Sequence, residues 1–155
     1  ALVGTEMREP DSRWFGAAPQ LLVEHRGPGV DALIDRIEAA VQSYPWGTSY
    51  RLWPGPNSNT FVSWVVRNTE GFHAELPPVA VGKDWLGWAG IAPAPSKTGY
   101  TVSVAGLFGG TLATEEGVEL HLLGSTIGVD FNDLAIKLPA LGKLGVLDVL
   151  RNRTL

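Results

Sequence analysis

Between residues 100 and 131 the chain reads YTVSVAGLFGGTLATEEGVELHLLGSTIGVDF, and glycine interrupts it every few positions. Runs this short, rich in Val, Leu, Thr and aromatic residues, suit a pleated half-buried surface, and close glycine punctuation leaves room only for tight reversals. The spacing predicts strands in YTVSVAGLF (100–108), GTLAT (110–114), VELHLL (118–123) and STIGVDF (125–131), joined as an antiparallel meander. GLFGG (106–110) lacks a following helical pattern, which marks a hairpin rather than a phosphate loop. Within VELHLL, alternation puts Glu119 and His121 on one face and Val118, Leu120 and Leu122 on the other. The apolar set reads as the core face, so Glu119 and His121 are expected to point outward.

A different period governs VDALIDRIEAAVQSY (30–44), where Leu33, Ile34, Ile37, Val41 and Tyr44 recur at helical spacing. Pro45 stops that helix. A second helix is predicted from Asn57 or Ser58, carrying Phe61, Val62, Trp64 and Val65 and ending between Asn68 and Gly71. Together these elements predict an α+β fold, one or two helices packed on a small antiparallel meander sheet. LVGTEM (2–7) and QLLVEHR (20–26) read as further strands, and REPDSRWFG (8–16) as a turn-rich excursion. From Asp84 to Thr114 the only charges are Asp84 and Lys97, so this stretch is expected to lie against other protein. LPALGKLGVLDVLRNRTL (138–155) holds the spacing of a short amphipathic helix through Leu141, Leu144, Leu147 and Leu150.

A chain of 155 residues suits one domain, 1–155, with enough length to bury a core. Its net charge of −4 carries no clustered basic footprint, so no nucleic-acid partner is expected. It has no cysteine, which excludes disulfides, thiolate metal sites and a cysteine nucleophile. Glu115, Glu116 and Asp130 are too scattered for a metal site, His25 and His73 read as surface residues, and neither metal nor cofactor is expected.

The candidate site is WPGPNSNTF (53–61), a loop stiffened by proline and glycine that runs into the second helix through Asn57, Ser58, Asn59 and Thr60. One side chain normally caps a helix, yet four are offered here. Two readings stand. Redundant capping on a rigid turn fixes the angle of the helix. Alternatively, Asn57, Asn59, Thr60 and Trp53 form a ligand-binding site at a helix N-terminus, where anions and developing oxyanions are stabilised. In a catalytic version Ser58 is the nucleophile and His121 its base, with Glu119 a poor orienter two residues away on the same strand. Trp46, Trp53, Trp85 and Trp88 would stack on sugar rings in a wall-binding reading; core and loop packing is the plainer use of so many tryptophans.

MREPDSRWFG, LIDRIEAAVQSYPW, YRLWPGPNSNTFVSWVVR, LPPVAVGKDW, EEGVELHLLGSTIGVD and IKLPALGKLG occur in this order. Together they resemble an uncharacterised proteobacterial family catalogued as domain of unknown function 3750, over nearly the whole chain. The resemblance implies an N-terminal hydrophobic anchor and a His-containing strand upstream of Ala1, hence a trimmed piece of a protein held at the bacterial cell envelope, at the inner membrane. A weaker likeness is architectural. A polar, asparagine-containing loop opening a helix looks like the nucleophile helix of NlpC/P60-type papain-like hydrolases, and would imply a papain-like fold with Ser58 where those enzymes carry Cys.

Three functions follow. The first is a cell-envelope domain whose helix-entrance loop holds a polar or anionic ligand without catalysis. The second is a papain-like hydrolase using Ser58. The third is a module that meets a membrane partner or membrane surface through its C-terminal tail and uncharged middle, since Lys137, Lys143, Arg151 and Arg153 face only Asp148 there.

Overall fold

The computed structural model describes residues 19–145. Two helices precede seven strands: α1 (Val30–Gln42), α2 (Ser58–Asn68), β1 (Ala89–Pro93), β2 (Gly99–Val104), β3 (Phe108–Ala113), β4 (Gly117–Leu122), β5 (Ser125–Asp130), β6 (Ala135–Leu138) and β7 (Gly142–Gly145). The fold is α+β, and the strands pair in chain order as one antiparallel sheet, β1 through β7. Both helices start and stop close to where periodicity and Pro45 place them. Helix α1 buries Leu33 and Ala40, and α2 buries Thr60, Ser63, Val65 and Val66. Tyr44, Trp46, Phe61, Trp64 and Trp85 meet edge to face around the helix ends, with Trp46 and Trp85 centred 4.7 Å apart. Three of the six tryptophans, each half-buried, thus pack against other aromatic rings at the helix ends.

Several expectations are corrected. Residues 20–26 form no strand. The reversal after β2 falls at 105–107, and Gly109 and Gly110 lie inside β3. Gly109 has a steric reason to be there, since a Cβ would come within 2.5 Å of the Val102 carbonyl oxygen. Leu141 and Leu144 belong to the β6–β7 hairpin rather than to a helix; Leu147 and Leu150, like the proposed strand 2–7 and the excursion 8–16, lie outside the described residues.

The main correction concerns the face of the sheet. Glu119 and His121 are 3% and 1% exposed, whereas Leu120 and Leu122 are 52% and 38% exposed. The whole sheet follows that register. One inner row runs Thr101, Thr111, Glu119, Gly128, Lys137, Lys143, and a second runs Ser103, Gly109, His121, Thr126. The outer face carries Tyr100, Leu112, Val118, Val129, Ile136 and Leu144 in one row, Ile91, Val102, Gly110, Leu120 and Ile127 in the next, and Val104, Phe108 and Leu122 in a third. No strand residue on that face is charged. The sparsely charged stretch 84–114 supplies much of it, and Trp88, Ile91, Leu112 and Phe108 are exposed rather than covered.

Between α2 and the inner face runs the segment 77–88. Ser63 Oγ donates to the Lys83 carbonyl at 2.6 Å and Thr60 Oγ1 to the Gly82 carbonyl at 2.9 Å. From the same segment Lys83 Nζ reaches Glu119 across the sheet. Helix α2, the segment and the sheet are thus tied together by polar contacts, while the helices bury apolar Leu33, Val65 and Val66.

Candidate functional site

Asn57 caps α2, accepting the Thr60 N–H on Oδ1 at 3.1 Å while its own N–H donates to Thr60 Oγ1 at 3.2 Å. This is a reciprocal capping box with threonine in the third helical position. The Asn57 amide nitrogen also donates to the Leu52 and Val81 carbonyls at 3.1 and 3.0 Å. Asn59 Nδ2 donates to the same Val81 carbonyl at 3.0 Å. Trp53 Nε1 donates to the Leu123 carbonyl at 2.7 Å, and the Gly82 N–H donates to the Gly124 carbonyl at 3.3 Å. Gly82 is the residue this approach requires. Its φ is +84°, and a Cβ there would meet Asn57 Nδ2 at 2.8 Å.

The polar groups of NSNT therefore form a clasp. It binds the helix entrance to segment 79–82, and Trp53 Nε1 and the Gly82 N–H carry the connection on to the β4–β5 turn. Asn57 and Thr60 are buried with their hydrogen bonds made inside the fold. Ser58 is exposed, and among the described residues its hydroxyl has no hydrogen-bond partner. Beside the clasp a cleft of about 360 Å³ is lined by Arg51, Pro54, Gly55, Trp85, Trp88 and Leu107. Trp88 stands 89% exposed at its margin.

His121 lies elsewhere. Its Nε2 is 2.8 Å from Thr111 Oγ1 and its Nδ1 is 3.0 Å from Thr126 Oγ1, so both ring nitrogens are taken by threonine hydroxyls. Thr111 continues to Thr101 at 2.9 Å, and Arg67 Nη2 donates to Thr101 at 3.4 Å. Burial pushes the His121 pKa down to about 4, although Glu119, whose Oε2 is 3.7 Å from Nε2, pulls the other way. The ring is neutral at pH 7. No hydrogen bond joins it to Ser58 among the described residues. His25 stacks edge-on against Phe72, and His73 Nδ1 lies 3.2 Å from the Ser96 carbonyl.

Next to His121 is an ionic chain that alternation alone did not suggest. Glu119 Oε1 accepts from Lys83 at 3.0 Å and from Lys137 at 2.9 Å. Lys137 also binds Glu75 at 2.6 Å and the Glu116 carbonyl at 2.7 Å. Lys143 joins Glu75, Asp130 and Asp133 at 3.2, 2.5 and 2.6 Å. Burial alone would raise Glu119, but the two lysines outweigh it and hold its carboxyl below the usual range. Burial pulls Lys83 down, while Lys137 stays above the ordinary lysine value because its carboxylates overcome the desolvation. Asp84 is raised by burial, and its Oδ1 is enclosed without a hydrogen bond. The one sequence signal for this chain was that Glu119 and His121 share a strand face with Thr111 and Thr101, polar positions on neighbouring strands.

Residues 1–85, more than half of the chain, match the model of a family described as protein of unknown function, DUF3750. The chain belongs to the DUF3750 family. No curated protein and no solved structure matches it. The matched residues contain both helices and the clasp, while the whole sheet described above, from Ala89 onward, follows them. Among the described residues no helix is long and apolar enough to cross a membrane.

Proposed function

We propose that this is a non-catalytic docking domain, working through the outer face of its sheet at the bacterial cell envelope. One observation carries the reading: an uncharged apolar face extends over all seven strands while the polar and ionic residues are turned inward. Soluble chains seldom expose a contiguous apolar patch beyond a few hundred Å², and larger ones mark places where something binds. The inner face suits a scaffold. The charges on its strands, Glu119, Asp130, Lys137 and Lys143, are paired and its histidine is bonded on both sides, so that layer holds the shape of the sheet. The envelope setting is part of the proposal and rests on the family resemblance. The clasp supports the same reading, since three of its four polar side chains are bonded to the fold itself.

The test is the double variant Leu112→Glu/Leu120→Glu. Both residues are half or more exposed in the single chain, so far-UV circular dichroism should be preserved. Binding of an apolar-surface dye and concentration-dependent association should both fall at least severalfold. Equal dye binding and equal sedimentation of variant and wild type would sink the docking reading.

A further inference from the structure

We infer that the occupant of the outer face is a second copy of this chain, the two sheets stacking face to face about a two-fold axis. The inference rests on the docking reading and names its partner. Area comes first. The outer side chains expose on the order of 1,000 Å² of apolar surface per copy, against roughly 800 Å² per partner in a stable protein interface. Relief comes second. The outer positions of β3 read Phe108, Gly110, Leu112, two projecting side chains 58% and 70% exposed with a gap between them. Gly110 is flanked across the sheet by Val102 and Leu120, which wall the gap. A knob–gap–knob profile is complementary to itself, as a two-fold interface demands. Stacked sheets lie about 10 Å apart, a separation their interdigitated side chains fill.

Charge decides between a second copy and a bilayer. Each chain carries −4, so two copies must meet where no like charges are opposed, and the strand residues of the outer face offer none. An anionic bilayer would instead be met by Lys or Arg around an apolar face. Here the turns at one end of the sheet carry Glu115, Glu116 and Asp133 against a single cation, Lys97, whose Nζ donates inward to the Thr69 carbonyl, and the turns at the other end, Ala105–Leu107, Leu123–Gly124 and Pro139–Leu141, are uncharged.

The experiment is sedimentation velocity with light scattering on the whole chain at micromolar concentration. Wild type should have twice the chain mass, and Leu112→Glu and Leu120→Glu should each return it to the single mass with unchanged circular dichroism. Because the chain has no cysteine, Leu120→Cys gives a unique thiol. A nitroxide label on that thiol should show dipolar coupling between two copies, lost in the Leu112→Glu background. A dimer that survives both glutamates would overturn the face-to-face arrangement. A wild-type monomer that floats with neutral lipid vesicles, and loses flotation in the double variant, would overturn the second copy while retaining the docking surface. A monomer that neither floats nor differs from the double variant in dye binding would overturn both.

Discussion

Asn57 commits both amide hydrogens and its carbonyl oxygen inside the fold: the oxygen accepts the Thr60 N–H, and the two hydrogens go to the Leu52 and Val81 carbonyls. Replacing a cap costs about 1 kcal/mol, and leaving buried carbonyls without donors costs more. Asn57→Ala should therefore lower stability by about 2–3 kcal/mol in urea unfolding, while Ser58→Ala, one position on and exposed, should stay within about 0.5 kcal/mol of wild type. A serine-directed fluorophosphonate should leave this chain unlabelled. Labelling that disappears in Ser58→Ala would promote the hydrolase, since a serine becomes a nucleophile only when a base takes its proton. His121 supplies the pH dependence. Its pKa falls from an ordinary 6.5 to about 4 on folding, so between those values the unfolded chain holds a proton that the folded chain does not. Stability must then rise with pH across that window and fall in acid, by about 3 kcal/mol in all. The slope between pH 6.5 and 4 should be shallower in His121→Gln, measured by urea unfolding at each pH.

Among elements, the inner row of the sheet depends on what is missing from its middle. Gly128 lies between Glu119 on β4 and Lys137 on β6, and a Cβ on it would come within 2.6 Å of the Val118 carbonyl and 3.1 Å of Glu119 Cγ. Without a side chain there, carboxylate and ammonium meet across the intervening strand. Glu119→Gln would keep the shape but leave Lys83 and Lys137 buried with too little negative charge. Removing one partner of a buried pair typically costs 3–5 kcal/mol, and urea unfolding should show a loss of that order. The sign with pH is that of a depressed carboxyl. Its contribution is present above the ordinary carboxylate value of 4.5 and is lost as pH falls through the lower folded value, so the acid limb should flatten in Glu119→Gln.

At the scale of the molecule, an open sheet with charge inside and hydrocarbon outside is only half of a packed arrangement. If a second copy completes it, folding and association are linked and the melting temperature should climb as protein concentration is raised. Leu112→Glu should melt at one temperature throughout the range. Scanning calorimetry over a hundredfold dilution series checks both.

Local chemistry was enough for much of this. The 3.6-residue period and Pro45 located α1, the Asn57 cap located α2, and the glycine-spaced apolar runs announced an antiparallel meander, because those signals act between residues close in the chain. Alternation also showed that Glu119 and His121 share a face. It could not show which face packs. That choice was made by Lys83, 36 residues before Glu119, by Lys137, 18 residues after it, and by the threonines on three neighbouring strands. Burying a carboxylate is unfavourable alone and tolerable beside two ammonium groups, so the orientation of the strand follows from partners that only tertiary structure assembles. The helix entrance divides in the same way. Four adjacent polar residues could be read as a site, but whether their groups face a ligand or the chain depends on segment 79–82 and the β4–β5 turn arriving beside them. Sequence determined both helices, the four central strands and their periods; the long-range pairing of buried charge decided which side of the sheet is the interior.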